Sequence, residues 1–211
     1  VFMAGATPTR GNIIDYVEIA TQGNAADFGD ATISVSQGGA AASDTRAVRC
    51  GGSQPSYPNV IDYVTIASVG NATDFGDMSD SVNETSVPGS NTRAVICGGE
   101  NDSPAIINTM EYITIASTGN TTDFGDLTAN RQAISKGSCS DNITGILAGG
   151  LDNGGSVVNI IEQITIASTG NSTDFGDLIT TTFSGGTATN GHGGLSTTSF
   201  ADNYYTFGSN L

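Results

Sequence analysis

The chain has 211 residues, of which 29 are Gly and none is Trp, and only 13% are charged. Twenty-one acidic residues against six basic ones give a formal net charge of −15, which disfavours binding to nucleic acid or to an anionic membrane. No apolar run approaches the ~20 residues of a membrane-spanning helix, so we expect no membrane insertion. Three cysteines are too few for a disulfide framework.

The first predicted element of each repeat is an apolar strand that ends in small residues, and its first copy covers residues 1–5. Three later copies end in a Gly-Gly doublet, namely Gly51 and Gly52, Gly98 and Gly99, and Gly149 and Gly150. Cys50 and Cys97 precede two of these doublets, where we place Ala4 and Ala148 in other repeats. Because Cys alternates with Ala, we expect a small buried position and not redox chemistry.

A loop of variable sequence follows each apolar strand. Variable loops on a rigid frame are where binding usually occurs, and Tyr57, flanked by Pro55 and Pro58, is the most conspicuous candidate. The residues that we predict to contact a sugar or a protein are Tyr57, Asn59, Asn101, Asp102, Asp152 and Asn153. The alternative, that these loops merely tolerate sequence drift, stays open.

The next element is a β-branched strand, whose copies cover residues 16–20, 63–67, 112–116 and 163–167. In the second copy the two-residue period places Val64 on one face and Tyr63 on the other. Both faces are apolar, which predicts a sheet packed between two neighbouring sheets. A carboxylate precedes the strand in every repeat, at Asp15, Asp62, Glu111 and Glu162. We predict that Arg46 and Arg93, on the neighbouring strand, pair with these carboxylates.

A Gly-Asn turn follows the β-branched strand. Gly and Asn both tolerate positive φ, so the pair predicts a tight hairpin. The turn residues Asn71, Asn120 and Asn171 also begin Asn-Xaa-Thr sequences, as do Asn83 and Asn142, and such sequences accept glycans in secreted eukaryotic proteins. For the first three, the turn explains the Asn without any sugar.

The tetrapeptide Asp-Phe-Gly-Asp closes each unit, and its four copies lie roughly 50 residues apart. It supplies the carboxylate pairs Asp27 and Asp30, Asp74 and Asp77, Asp123 and Asp126, and Asp174 and Asp177. Calcium binds to clusters of carboxylate and carbonyl oxygens, so these pairs could hold it. Repetition in every unit favours the alternative, in which the carboxylates accept backbone N–H groups in turns. The sequence therefore predicts no cofactor and no metal, with calcium as the alternative.

Short strands at this spacing, with no helical pattern, predict an all-β fold. Four strands in a unit of ~50 residues are typical of a β-propeller blade. We predict one domain over residues 1–211, with repeats at about 1–46, 47–93, 94–144 and 145–191 and a partial repeat at 192–211. Weaker copies of the apolar and β-branched strands at 192–197 and 203–209 bring the expected number of blades to about five. Pairing of the two termini could close the ring.

The unit resembles a divergent kelch repeat. In kelch repeats a Gly-Gly doublet ends the second strand and an aromatic residue, usually Trp, packs between blades. The Gly-Gly doublets of this chain match the first feature. The residues at the position of the Trp are Phe28, Phe75, Phe124 and Phe175. Arg131 matches an Arg that often follows the aromatic residue in kelch repeats. The absence of Trp and of Arg after the other Phe positions departs from the pattern.

The phrase Ile-Ala-Ser-Thr-Gly-Asn-Xaa-Thr-Asp-Phe-Gly-Asp-Leu, at residues 115–127 and 166–178, resembles repeats in structural proteins of aquatic bacteriophages. That resemblance implies a location on a virion or outside the cell, other fibre subunits as partners, and host attachment through a surface glycan or protein. It also implies a homo-oligomer and no enzymatic activity.

Two other functional classes stay open. A propeller can carry a carbohydrate-active enzyme or a lectin, and unrepeated carboxylates such as Glu84 and Asp102 are the residues to change in a test of catalysis. The second class is a secreted, self-assembling fibre protein. His192 is the only histidine, so neither a Ser-His-Asp triad nor a His-ligated zinc site is supported.

Overall fold

The computed structural model describes residues 1–6, 9–134 and 138–188. These residues are all-β. No helix occurs among them, and therefore none that is long and apolar enough to cross a membrane. The predicted strand copies at 192–197 and 203–209, and with them His192, lie outside the described residues. The rest of the repeat pattern can be compared with the structure directly.

The strands form four main antiparallel sheets and one small one. Sheet 1 contains β1 (Phe2–Ala6), β2 (Arg10–Tyr16) and β3 (Ala26–Val35). Sheet 2 contains β4 (Gly39–Ala42), β5 (Arg46–Cys50), β6 (Val60–Thr65) and β7 (Thr73–Asp77). Sheet 3 contains β8 (Val82–Asn83), β9 (Arg93–Asn101), β10 (Ile106–Thr114) and β11 (Thr122–Asp126). The next six strands are β12 (Arg131–Gln132), β13 (Cys139–Ser140), β14 (Thr144–Ala148), β15 (Leu151–Asp152), β16 (Ile160–Thr165) and β17 (Thr173–Asp177). Sheet 4 has the strand order β13-β14-β16-β17. The small sheet consists of β12 paired with β15.

Each main sheet forms from one continuous stretch of chain, because its strands pair antiparallel in sequence order. The β-branched strand lies in the interior of the sheet, and the Asp-Phe-Gly-Asp strand is its last member, as in β7. Each sheet thus contains one copy of the repeated motifs, but it begins before the predicted repeat boundary, since β4 precedes residue 47 and β8 precedes residue 94. Within the described part of the chain, the sheets do not close into a barrel or ring.

The described residues form three hydrophobic clusters, and each lies between two consecutive sheets. Strand β6 illustrates the division, since Val64 packs with Ile14 and Phe28 of sheet 1, whereas Ile61 packs with Ile96 of sheet 3. The third cluster joins sheets 3 and 4 and contains Val95, Cys97, Met110, Phe124, Leu127, Ile134, Leu147, Ile164 and Ile166. The prediction of a sheet packed on both faces is thus confirmed for sheets 2 and 3.

The Gly-Gly doublets lie where one repeat crosses the next. Gly51 has φ +60°, and a Cβ there would lie 2.4 Å from the carbonyl oxygen of Val82. Only Gly adopts this conformation readily while admitting such close backbone contact. The N–H of Gly52 donates to the same carbonyl at 3.0 Å. The doublet is therefore part of the contact between two repeats.

The prediction for Ala4 was wrong by one residue. Met3 pairs with Ile14 as Cys50 pairs with Ile61, and Ala4 has φ +57°, close to the +60° of Gly51. Ala4 therefore occupies the first position of the doublet. Cys50 and Cys97 are both 0% exposed, which agrees with a buried position, and in repeat 1 that position holds the larger Met3.

Candidate functional site

In the part of the chain that the structure describes, the same backbone contact joins consecutive repeats at three junctions. At the first, the N–H of Gly70 donates to the carbonyl of Phe28 at 2.8 Å, and the N–H of Ala72 donates to that of Asp30 at 2.8 Å. The other two junctions repeat this pair of bonds from Gly119 and Thr121 to Phe75 and Asp77, and from Gly170 and Ser172 to Phe124 and Asp126. The Gly-Asn turn of one repeat thus adds to the edge of the Asp-Phe-Gly-Asp strand before it.

The Asn side chain of the turn completes this contact. Oδ1 of Asn71 accepts the backbone N–H of Asp30 at 3.0 Å, and Asn120 and Asn171 accept those of Asp77 and Asp126 at 3.1 and 3.0 Å. This bond explains why Asn recurs without any sugar. The predicted tight hairpin is wrong, because residues 66–72 separate β6 from β7 and neither Asn71, Asn120 nor Asn171 has a positive φ. Asn83, another Asn-Xaa-Thr site, is only 5% exposed and is therefore shielded from a glycosylating enzyme.

The carboxylate before the second, third and fourth β-branched strands forms a second bond across the junction. Asp62 accepts both the N–H and the hydroxyl of Thr32 in the preceding repeat. Glu162 accepts the same two groups of Thr128. Glu111 accepts the N–H of Ser79 at 3.2 Å. These carboxylates therefore hold neighbouring repeats in register.

The predicted ion pairs of Arg46 and Arg93 are wrong. The carboxylates of Asp62 and Glu162 pair instead with Arg49 and Arg131, and all four side chains are almost completely buried. Arg49 also donates to the carbonyl of Gly51, and Arg131 to that of Gly149. Since β5 supplies Arg49 and β12 supplies Arg131, the same guanidinium position is reached from two different parts of the repeat.

Arg46 and Arg93 have another role. The guanidinium carbon of Arg46 lies 4.4 Å from the centre of the Tyr63 ring, and that of Arg93 lies 4.1 Å from the centre of the Tyr112 ring. Each Arg also donates to the next repeat, Arg46 to the carbonyl of Ile115 at 2.9 Å and Arg93 to that of Ile166 at 3.0 Å. Stacking on an aromatic face suits a planar cation, so these residues tie a strand to its neighbours.

A further backbone contact between repeats has no counterpart in the sequence pattern. Gln37, Glu84, Ala133 and Ser184 stand at equivalent positions, and all have positive φ between 49° and 61°. The N–H of each later residue donates to the carbonyl of its predecessor at 3.0–3.1 Å. The side chains differ from repeat to repeat, so only the backbone repeats. Glu84, which sequence singled out as unrepeated, accepts Nε2 of Gln37 at 2.6 Å.

The paired Asp side chains of Asp-Phe-Gly-Asp lie at the surface of the sheet edges. Oδ1 of Asp27 accepts the N–H of Gly29 at 3.1 Å, the kind of turn bond predicted as the alternative to calcium. Asp30, Asp77 and Asp126 take part in the junctions through their backbone groups. Among the residues that the structure describes, no three His, Cys, Asp or Glu side chains are grouped to hold a metal ion.

The variable loops of repeats 2 and 3 contact each other. The backbone N–H of Tyr57 donates to Oδ1 of Asp102 at 2.7 Å, and its hydroxyl donates to Oε2 of Glu100 at 3.2 Å. Burial, followed by the negative charge of Glu100, raises the pKa of the Tyr57 hydroxyl above its ordinary value. The half-buried ring is thus held in place between two loops. Glu100 was not predicted, because nothing in one loop's sequence marks which residue of the next loop it meets.

The other predicted loop residues have local structural roles. Nδ2 of Asn59 donates to the carbonyl of Met78, and Oδ1 of Asn101 accepts the N–H groups of Ser103 and Ala105. Oδ1 of Asp152 accepts the N–H groups of Gly154 and Ser156, while the neighbouring Asn153 is exposed. Of the six predicted contact residues, the structure brings Tyr57 and Asp102 together.

An open groove lies between the loops of repeats 1 and 2. It has a volume of about 690 Å³ and is lined by Thr9, Arg10, Ile33, Ser34, Ser36, Gln54 and Pro55. Nη2 of Arg10 donates to the hydroxyl of Ser53 at 3.0 Å, which fixes the cation beside the groove. Mixed hydroxyl, amide and guanidinium groups suit a polar ligand such as a sugar. Arg10 was missed because the groove is formed by residues of two repeats, and nothing in the sequence of one loop marks it.

Comparison of the chain with protein-family models and with curated proteins found no match.

Proposed function

We propose that the chain is a non-enzymatic structural protein of a virion or extracellular fibre, whose variable loops bind a host surface glycan or protein. The observation that carries this proposal is that polar groups which recur from repeat to repeat form hydrogen bonds between neighbouring sheets. The turn Asn, the carboxylate before the β-branched strand and the Arg residues all bond across junctions. Groups bonded in this way give a stiff scaffold, and the residues that vary are left to supply recognition.

We further propose that the sheets are blades of a kelch-like propeller. Three features support this: four short antiparallel strands in each of sheets 2, 3 and 4, face-to-face packing of consecutive sheets, and burial of Phe28, Phe75 and Phe124 between them. Electron microscopy of the purified protein tests the proposal, since a propeller gives a disc with a central axis. An elongated particle with sheets stacked along a line would overturn the propeller arrangement.

The binding surface of this proposal is formed by the loop pair of Tyr57 and Asp102 and by the groove beside Arg10. Tyr57 presents an aromatic ring that the hydrogen bond to Glu100 keeps ordered, which reduces the entropy lost on binding. The groove adds a fixed cation and several hydroxyl groups on the same side of repeat 2. Rings and polar groups combined in this way suit the apolar face and the hydroxyl groups of a sugar.

The proposed function is tested with particles and glycans together. Antibody to the purified chain should label the surface of virions or fibres in electron micrographs, and the protein should bind particular sugars on a glycan array. Tyr57→Ala and Arg10→Ala should weaken that binding, while Ile143→Ala, an exposed change elsewhere, should not. Unlabelled particles would overturn the structural role. Turnover of a polysaccharide, lost in Glu84→Gln or Asp102→Asn, would show that the protein is an enzyme.

A further inference from the structure

The last described sheet carries an apolar surface that is buried in the earlier repeats. Phe175 is 59% exposed, whereas Phe28, Phe75 and Phe124 in the same motif are each 2% exposed. A Cβ on Gly29 would lie 2.5 Å from the backbone of the following turn, but a Cβ on Gly176 would meet nothing within 4 Å. Leu178 is half-buried, whereas its counterparts Met78 and Leu127 are each 3% exposed. We call residues 175–179 the tail surface.

The first sheet carries the opposite half of the same contact. Val17 is 39% exposed, although its counterparts Val64, Ile113 and Ile164 are 2–3% exposed. Ile19 is 99% exposed, whereas Ile66 is 36% exposed and Ile115 and Ile166 are completely buried. Gly23 and Asn24 form the same turn as Gly70 and Asn71, and both are exposed. We call residues 15–25, which also include the carboxylate of Asp15, the head surface.

We propose that the head surface of one copy of this chain docks on the tail surface of a second copy. The docked pair would reproduce the junction that the chain already forms three times internally. The N–H groups of Gly23 and Ala25 would donate to the carbonyls of Phe175 and Asp177, as those of Gly70 and Ala72 donate to Phe28 and Asp30. Oδ1 of Asn24 would accept the N–H of Asp177, and Asp15 would accept the N–H of Ile179.

Two observations favour a second copy as the occupant. The two surfaces continue an interface that is established inside the molecule, and each supplies the donors, acceptors and apolar groups that the other lacks. Because head and tail are different surfaces, the contact is heterologous, and it produces a closed ring or a continuing stack.

The inference goes beyond the proposed function, because it concerns the end sheets and not the variable loops. It also predicts a salt effect. A chain with a net charge of −15 repels its own copies, and salt screens that repulsion, so association should strengthen as salt is raised.

Sedimentation of the full chain over a range of concentrations tests the proposal. The wild type should associate, while Ala25→Glu and Phe175→Asp should each weaken association by at least about tenfold, equivalent to about 1.4 kcal/mol. Ala26→Glu is the matched control for the head, because its counterparts Thr73, Thr122 and Thr173 stay exposed in the internal junctions. Val69→Asp is the control for the tail, since Val69 is 62% exposed on an internal turn.

A mixing experiment then distinguishes docking between copies from closure within one copy. Ala25→Glu retains a working tail and Phe175→Asp retains a working head, so an equal mixture should form pairs and stop there. Pairs would support the proposal. A wild type that stays monomeric at all concentrations, or a mixture that does not pair, would overturn it. Loss of the glycan binding proposed above would leave the sedimentation result unchanged, so the two proposals fail separately.

Discussion

Asn71 accepts, through its side-chain oxygen, the backbone N–H of Asp30 in the preceding repeat at a distance of 3.0 Å. The same bond recurs from Asp77 to Asn120 and from Asp126 to Asn171. A side chain that satisfies a strand-edge N–H in the neighbouring repeat both links the two sheets and covers an edge that could otherwise pair with another chain. The turn therefore specifies how one repeat follows the next.

Loss of the turn Asn should destabilise the protein in a repeat where this Asn makes the hydrogen bond, and not in a repeat where the bond is absent. Asn120→Ala should lower the free energy of unfolding by about 1 kcal/mol and the melting temperature by about 2–4 °C. Asn24→Ala is the matched control, because the same turn in repeat 1 contacts no preceding sheet among the described residues. Measured by calorimetry on dilute protein, equal shifts for the two variants would contradict the assigned role of the bond.

Replacing the Phe of Asp-Phe-Gly-Asp should destabilise the protein more where a neighbouring sheet buries the ring than where the ring is exposed. Phe124→Ala removes a ring that is 2% exposed between sheets 3 and 4, and we expect a loss of about 3–5 kcal/mol. Phe175→Ala changes the same motif where the ring is 59% exposed, and the loss in the monomer should stay within about 0.5 kcal/mol. Urea denaturation at low protein concentration measures both values.

The ion pair between Arg131 and Glu162 should show the behaviour of a buried pair. Arg131→Met leaves the Glu162 carboxylate buried without its partner, so the free energy of unfolding should fall by about 3–5 kcal/mol. The double variant Arg131→Met/Glu162→Met should recover much of that loss, because it removes both charges together. Urea denaturation of the two variants checks this, and a double variant less stable than Arg131→Met would count against the pairing.

Arg93 now has a different predicted partner from the one that the sequence indicated. Arg93→Met removes the stacking on Tyr112 and the bond to the carbonyl of Ile166, for which we expect a loss of about 1–2 kcal/mol. Arg93→Lys keeps the charge but not the planar guanidinium, so it should recover only part of the stability. Full recovery in a thermal melt would show that charge alone matters.

Several parts of the fold could be predicted from the sequence because identical residues recur in identical surroundings. The Gly-Gly doublet, the Gly-Asn turn and the Phe of Asp-Phe-Gly-Asp each meet the same neighbour at successive junctions, so their spacing reveals their structural role. The tail surface shows the limit of this reasoning. Phe175 has the same sequence context as Phe124, yet it is exposed, because burial depends on the sheet that follows.

Other contacts could not be predicted because they repeat in space without repeating in sequence. Arg49 and Arg131 place a guanidinium beside equivalent carboxylates, but they come from different strands, so no periodic spacing marks them. The contact of Tyr57 with Glu100 is a second case, since both residues lie in loops whose sequences vary. Such contacts depend on the three-dimensional arrangement of neighbouring repeats.

The buried thiols should make the stability of the protein depend on pH in alkaline solution. Burial raises the pKa of Cys50 from 9.0 to about 12, and it raises the pKa of Cys97 as well. Below pH 9 both thiols keep their protons in the folded and the unfolded chain, so their stabilising contribution is fully present. Between pH 9 and about 12 the unfolded chain releases protons that the folded chain retains. Stability should therefore fall by about 1.4 kcal/mol per pH unit for each thiol.

The variant Cys50→Ala/Cys97→Ala removes this dependence without placing a foreign residue in the repeat, because repeat 4 has Ala148 at the same position. Urea denaturation between pH 8 and 11 should show a flatter profile for the variant than for the wild type, since Tyr, Lys and Arg contribute equally to both. Cys139→Ala is the control for loss of a partly exposed thiol, and it should keep the wild-type slope. Parallel profiles for the wild type and the double variant would show that the two thiols ionise in the folded protein as readily as in the unfolded chain.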